Sequence, residues 1–125
     1  NVRVKFLGFR KDIPELNKCA DIAVLPSLRE GLGLAGIEAL ASGVPVIGSR
    51  VQGIKDYVID GKTGYLCEAK DTNNLFDKIN TFMQLSNNEK KMMGKCGREK
   101  MENEFDANVA PVLLEMIYNE EERLF

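Results

Sequence analysis

The chain has 125 residues, a net charge of −2 and no histidine. That length fits one domain that buries roughly two thirds of the surface its unfolded chain would expose, and the mixed charges exclude the basic stripe of a nucleic-acid-binding protein. The missing histidine excludes Ser-His and Cys-His catalysis together with the usual metal ligand, and no apolar run has the length of a membrane span.

Short apolar runs alternate with helical patterns through the first part of the chain. Residues 4–7 are strand-like and stop at a glycine. Residues 13–20 predict a short helix, with Asp12 as its N-cap and Pro14 in its first turn, where proline is tolerated. Residues 22–25 are apolar throughout and predict a second strand.

The middle of the chain predicts a helix, a strand and a short helical segment. The helix covers residues 34–42 and is closed by Gly43. Pro45 precedes a third strand at residues 46–47, and residues 54–59 predict one or two helical turns.

The last part of the chain begins with a turn at residues 60–64, which leads into a fourth strand at residues 65–67. Amphipathic spacing then predicts helices over residues 72–85, 89–104 and 109–117.

Apolar strands separated by helices predict an α/β fold, in which helices flank a parallel sheet in a Rossmann-like, three-layer arrangement. In such open sheets, ligands bind beyond the carboxyl ends of the strands. Three segments emerge there: residues 8–11, 26–34 and 48–53. The expected strands lie near residues 3–7, 22–25, 45–48 and 65–67.

Residues 30–49 carry the strongest functional pattern, since Glu38 is the only ionisable residue between Glu30 and Arg50. A carboxylate in so apolar a helix is costly to bury unless hydrogen-bond donors meet it. The two glutamates flank a glycine loop that opens a helix, whose first N–H groups have no partner within the helix. Such a helix start favours an anion and neighbouring carboxylates favour hydroxyl groups, so the pattern predicts a sugar-nucleotide site.

This stretch resembles the signature of retaining glycosyltransferases with the two-lobed GT-B fold (group 1, family 4), the large group that builds bacterial polysaccharides and lipid-linked sugars. That signature reads P-S-x-x-E-G-x-G-x-x-x-x-E-A-x-A-x-G-x-P-V. Residues 4–8 resemble the family's strand toward the base pocket, and residues 61–66 resemble its N-G-x-x-G-x-L turn. The signature is matched at Pro26, Ser27, Glu30, Gly31, Gly33, Glu38, Ala39, Ala41, Gly43, Pro45 and Val46.

The resemblance implies a role for the matched positions. Glu30 would be the catalytic residue, binding hydroxyls of the donor sugar, and Glu38 would bind the ribose diol. A carboxylate can accept from both hydroxyls of a diol, and glycine lets the backbone approach a phosphate closely. The further substrate-binding positions are the amides of Gly31, Leu32, Gly33 and Leu34 around the diphosphate and sugar, Phe9 and Arg10 beside the base, and Ser27.

The resemblance also implies a larger context. Residues 1–125 would be part of the C-terminal, nucleotide-sugar-binding lobe of a longer protein. The acceptor lobe and the start of this lobe, with its cationic G-R-x-x-x-x-K-G-like segment, are absent from the sequence, so we expect the chain alone to be inactive and to bind donor weakly. The donor would be a nucleoside diphosphate sugar, with no cofactor and no protein metal site. The acceptor would be a glycan or a lipid-linked sugar, bound through the other lobe.

Two further expectations concern location and assembly. The cysteines Cys19, Cys67 and Cys96 have no C-x-x-C spacing, which favours a reduced, cytoplasmic protein, at the inner face of the membrane in its full-length form. Two strands of the family's lobe would lie between segment 3–7 and strand 22–25. Without them, we expect either that these two segments pair directly or that two copies of the chain form a homodimer through the open strand edge.

Several alternatives stay open. Glu38 could instead be a helix glutamate paired with a lysine, and Glu30 a loop surface residue. Residues 31–36 also spell G-x-G-x-x-G, the fingerprint of an NAD(P)-linked Rossmann domain. However, residues 26–30 separate that glycine run from its strand, and Glu30 would face the pyrophosphate with a like charge. A non-catalytic nucleotide-binding module is the third interpretation. Asp56 stands where the family often has a glutamate.

Overall fold

A computed structural model describes residues 3–29, 31 and 33–104 of the chain. The predicted helix over residues 109–117 lies outside the described residues. The elements in chain order are α1 (Ile13–Cys19), β1 (Ala23–Leu25), α2 (Leu34–Ala41), β2 (Val46–Ser49), β3 (Gly64–Cys67), α3 (Thr72–Met83) and α4 (Asn87–Glu104).

The three strands form a parallel sheet in the order β1-β2-β3. Val46, in the central strand β2, pairs with Ala23 of β1 on one side and with Gly64 of β3 on the other. A side chain on Gly64 would overlap the Val46 backbone, so this strand pair requires glycine there. The predicted parallel α/β fold is therefore confirmed, as are three of the predicted strands.

Helices cover both faces of this sheet. Successive residues of a strand point to opposite faces, and in β2 Val46 packs in one apolar cluster and Ile47 in another. The Val46 cluster includes Leu40 of α2, and the Ile47 cluster includes Phe82 of α3. Helix α4 joins the two clusters with its buried methionines, Met93 and Met101.

The predicted strand at residues 3–7 is wrong. The described residues before α1 contain no strand, and Phe6 is 96% exposed while Val4 is 70% exposed. A strand needs a neighbour to accept its backbone hydrogen bonds, and the three strands of the sheet pair only with one another in the described part of the chain. Segment 3–7 therefore does not pair with β1, and within the described residues the sheet has three strands rather than the predicted four.

The ends of the helices follow from local chemistry. Helix α3 begins after Asp71, whose carboxylate accepts from the N–H of Asn74 at 2.9 Å. Helix α4 begins two residues before the predicted Glu89, because Ser86 and Glu89 form a reciprocal capping pair. The N–H of Ser86 donates to the Glu89 carboxylate, and the N–H of Glu89 donates to the Ser86 hydroxyl, both at 3.1 Å.

Candidate functional site

A cleft of about 470 Å³ opens beyond the carboxyl ends of β1 and β2. One wall comes from the segment after β1 and the other from the segment after β2. The cleft thus lies in the predicted crevice of a parallel sheet. Its lining residues are Leu28, Arg29, Gly31, Val51 and Gln52.

Helix α2 starts at Leu34, three residues after Gly31. Its N-cap is Gly33, which adopts the left-handed conformation with φ 65° and ψ 47°. The Gly33 carbonyl accepts from the N–H groups of Gly36 at 3.0 Å and Ile37 at 3.2 Å. The first turn of α2 carries no acidic side chain. Because the first N–H groups of a helix have no intrahelical partner and carry partial positive charge, this helix start is suited to an anion.

Tyr57 contacts Gly33, the last residue of the glycine loop before α2. Its hydroxyl donates to the Gly33 carbonyl at 2.8 Å, and the side chain is 5% exposed. A Cβ on Gly33 would lie 2.5 Å from that hydroxyl, and a Cβ on Gly36 would overlap it. The second and third glycines of the G-x-G-x-x-G pattern are therefore explained by the packing of Tyr57. Sequence reasoning missed this residue, although two glycines three apart on one helix face signal a close neighbour.

Glu38 lies on the second turn of α2. It is half-buried and stands one turn after Leu34, so the two residues share a face of the helix. The opposite face packs into the core through Ala39 and Leu40, which are fully buried. The Glu38 carbonyl accepts from the N–H of Ser42 at 3.1 Å and from its hydroxyl at 2.9 Å, which ends the helix.

The structure places part of the predicted site in one continuous stretch. Gly31 lines the cleft, Gly33 and Leu34 form the start of α2, and Ser27 is half-buried just after β1. Glu30 and Leu32 lie outside the described residues, so their roles stay predictions.

Phe9 and Arg10 lie in the segment before α1 and are not among the residues that line the cleft. Phe9 is 78% exposed. The Arg10 guanidinium pairs with the Asp12 carboxylate through two nitrogens, with Nε to Oδ1 at 2.7 Å. This contact lowers the pKa of Asp12 below its ordinary value. Asp12 is the N-cap residue of α1, as predicted, but its side chain forms no capping hydrogen bond because it pairs with Arg10 instead. Base binding by Phe9 and Arg10 stays a prediction.

Two arginines belong to the segments that form the cleft walls. Arg29 lines it directly, whereas Arg50 pairs with Glu68, with Nε to Oε1 at 3.3 Å. Asp56, the residue in place of the family's glutamate, accepts from the N–H of Gly53 at 3.3 Å. That bond closes the turn from which Tyr57 projects.

Neither a metal site nor a membrane span is found in the part of the chain that the structure describes. Within residues 3–29, 31 and 33–104, no three or more His, Cys, Asp and Glu side chains are grouped as metal ligands. In the same ranges, no helix combines the length and the apolar character needed to cross a membrane.

Comparison with known proteins decides the family. A family model described as glycosyl transferases group 1 matches residues 1–100. The chain belongs to this family. The match covers both walls of the cleft, the glycine loop and all of α2.

The chain is also similar to individual curated proteins. The chain is 39% identical over 118 residues to N-acetyl-alpha-D-glucosaminyl L-malate synthase of Bacillus anthracis, which covers 93% of the chain and 30% of that protein. It is 38% identical over 101 residues to the capsular polysaccharide biosynthesis glycosyltransferase CapM of Staphylococcus aureus, covering 79% of the chain and 26% of that protein.

A solved structure supports the fold. The crystal structure of Anabaena HepE in complex with UDP and glucose superposes with a TM-score of 0.80 at 28% identity, covering 94% of the chain and 32% of HepE. The chain therefore spans about a third or less of the length of these relatives, and its fold is that of part of a GT-B glycosyltransferase.

Proposed function

We propose that the chain is the donor-binding part of a retaining glycosyltransferase, which transfers a sugar from a nucleoside diphosphate sugar to a glycan or lipid acceptor. The observation that carries this proposal is the start of α2, which opens from the glycine loop beside the cleft with no acidic side chain in its first turn. The complex of HepE with UDP and glucose supports the same class of donor.

The proposed roles follow the family signature along the stretch after β1. The amides of Gly31, Leu32, Gly33 and Leu34 face the diphosphate, which the partial positive charge of the helix start attracts. Glu38, on the same helix face as Leu34, accepts from the ribose diol.

The remaining roles lie at the two ends of the donor. Glu30 holds hydroxyls of the sugar, and Ser27 borders the site after β1. Phe9 and Arg10 border the base. Arg29, which lines the cleft, adds a positive charge near the diphosphate.

Catalysis in this proposal is stabilisation of the leaving group. As the bond between the sugar and the diphosphate breaks, its electron pair moves to a diphosphate oxygen. Hydrogen-bond donors that already point to that oxygen stabilise the developing charge without reorganisation. No cofactor is needed for this step, and the acceptor binds through a lobe outside this chain. The unpatterned cysteines support a cytoplasmic location for the protein.

The test is titration of the full-length enzyme with a panel of sugar nucleotides, followed by a transfer assay with analysis of the anomeric product. We expect saturable binding of one nucleoside diphosphate sugar and transfer with retention. Binding of NAD(P) in preference to every sugar nucleotide would overturn the proposal in favour of a Rossmann oxidoreductase. Binding of a sugar nucleotide without transfer to any glycan or lipid acceptor would identify a non-catalytic module, and inversion at the anomeric carbon would refute the retaining mechanism.

A further inference from the structure

We propose that Tyr57 is a positioning residue of this donor site, which sets the direction of the Leu34 amide toward the diphosphate. The inference rests on the proposed function, since it assigns the residue that orients that site. Tyr57 does not belong to the stretch of residues 26–46 that matches the signature, and it comes from the other wall of the cleft.

The argument begins with one peptide unit. The Gly33 carbonyl and the Leu34 N–H belong to the same planar, trans peptide, so they point in opposite directions. The Gly33 carbonyl is held by three donors: the hydroxyl of Tyr57 at 2.8 Å, the N–H of Gly36 at 3.0 Å and the N–H of Ile37 at 3.2 Å. Because these donors fix the carbonyl, they also fix the Leu34 N–H in the opposite direction, away from the first turn of α2. Gly31, three residues earlier in the chain, lines the cleft.

Glycine at the N-cap makes this support necessary. Most helices begin with a side chain that caps the first turn and fixes the chain, but Gly33 has no side chain and a left-handed backbone. Glycine is the most flexible residue, so the loop needs an external anchor to present its amides in one direction. The buried Tyr57 hydroxyl is that anchor, and Gly36 leaves room for it.

Tyr57 also connects the two walls of the cleft. It projects from the turn that Asp56 closes, a few residues after Val51 and Gln52, which line the cleft. The hydrogen bond to Gly33 ties this turn to the loop after β1. A ligand that orders one wall therefore orders the other.

The experiment uses the full-length enzyme and two probes, UDP and uridine, whose affinities are measured by calorimetry. Tyr57→Phe keeps the ring and removes only the hydroxyl. We expect about three- to tenfold weaker binding of UDP, the effect of one hydrogen bond, and unchanged binding of uridine, which lacks the diphosphate. Tyr65→Phe is the matched control, because Tyr65 lies in β3 and packs in the cluster of Ile47 and Phe82. This variant should bind both probes as the wild type does.

Each other outcome overturns the proposal. An unchanged affinity for UDP would show that the hydroxyl does not orient the site. An equal loss for UDP and uridine would make Tyr57 a purely structural residue. If the wild-type enzyme binds neither UDP nor any other nucleoside diphosphate, the proposed function itself fails and this inference fails with it.

A second measurement keeps the test valid if Tyr57→Phe does not fold. In the wild-type enzyme, UDP should slow amide hydrogen exchange both at residues 33–37 and at residues 53–58, whereas uridine should not. Protection of residues 33–37 alone would mean that Tyr57 does not couple the two walls, and would refute the assignment.

Discussion

Gly94 of α4 packs its backbone directly against the carbonyl oxygen of Gly43, in the turn that follows α2. A Cβ on Gly94 would overlap that oxygen. One turn later, a Cβ on Gly97 would lie 2.8 Å from Cδ2 of Leu40. These two glycines bring α4 against α2, the helix whose start forms the candidate site.

The first prediction compares Gly94→Ala with Gly97→Ala. Both changes gain about 1 kcal/mol of helix propensity, but overpacking costs about 1–3 kcal/mol. The Gly43 backbone cannot move aside, whereas the end of the Leu40 side chain can. We expect Gly94→Ala to lower the free energy of unfolding by about 1–2 kcal/mol, and Gly97→Ala to change it by less than about 1 kcal/mol. Urea denaturation followed by circular dichroism measures both. Equal changes in the free energy of unfolding for Gly94→Ala and Gly97→Ala would contradict a rigid contact at Gly43.

Local sequence patterns predict the elements that build the site. The apolar run at residues 22–25 and the glycine loop before Leu34 predict the position of the cleft and the start of α2, because strand propensity and helix capping act over a few residues. The Tyr57 contact with Gly33 joins residues far apart in sequence. The spacing of Gly33 and Gly36 indicates a close neighbour, but no local pattern identifies which residue it is. The strand predicted at residues 3–7 is wrong for the same reason: its propensity is local, but its neighbouring strand must come from elsewhere in the fold.

The second prediction tests the ribose assignment of Glu38. In the full-length enzyme, Glu38→Gln should weaken UDP binding by about 1.5–3 kcal/mol, the value of a hydrogen bond to a charged group. The matched ligand is 2′-deoxy-UDP, which lacks one hydroxyl of the diol. Calorimetry should show that the wild type prefers UDP over 2′-deoxy-UDP and that Glu38→Gln loses most of this preference. If Glu38→Gln still preferred UDP over 2′-deoxy-UDP to the same extent, Glu38 would not bind the ribose.

The third prediction separates the sugar from the nucleotide. Glu30→Ala should reduce sugar transfer at least about tenfold more than it reduces binding of the free nucleoside diphosphate, because the proposed partner of Glu30 is absent from that ligand. Glu30→Gln keeps the size of the side chain and should recover part of the activity if hydrogen bonding rather than charge is needed. Steady-state transfer rates and calorimetric affinities give the two numbers. Equal losses of transfer rate and of nucleoside diphosphate affinity would mean that Glu30 contacts the phosphate or the ribose, or that its role is structural.

The fourth prediction concerns the pH dependence of stability. The pKa of Glu89 lies below its ordinary value of 4.5, because the N–H and then the hydroxyl of Ser86 stabilise its carboxylate. A carboxylate with a lowered native pKa stabilises the fold fully above its unfolded pKa, and this contribution is lost as the pH falls through the native value. Glu89→Gln should therefore lower the melting temperature at pH 7, and the difference from wild type should shrink below about pH 4.5.

The control for this prediction removes the hydroxyl of Ser86, the capping partner of Glu89. In a Ser86→Ala background the Glu89 N–H loses its acceptor and the Glu89 carboxylate loses the stabilisation from the Ser86 hydroxyl, while the Ser86 N–H remains. The pH-dependent part of the difference should therefore become smaller. Melting curves between pH 3 and pH 7 measure all four proteins. A difference that stays constant across this range would show that the Glu89 carboxylate does not titrate with folding.

The last prediction concerns the free edge of the sheet. Strand β1 pairs with β2 on one side, and no described strand lies on its other side. Its middle residue, Val24, is 36% exposed. An unpaired, apolar strand edge offers backbone donors and acceptors to a second strand, so we expect the isolated 125-residue chain to self-associate as its concentration rises.

A charge on an edge strand opposes such pairing. Val24→Lys should therefore shift the chain toward monomer by about tenfold or more in dissociation constant, whereas Val24→Ile, which keeps the apolar character, should not. Sedimentation equilibrium measures the three proteins. A wild-type chain that stays monomeric would show that the edge of β1 is protected in solution. Equal association of the wild type, Val24→Lys and Val24→Ile would show that the contact between copies lies elsewhere on the surface.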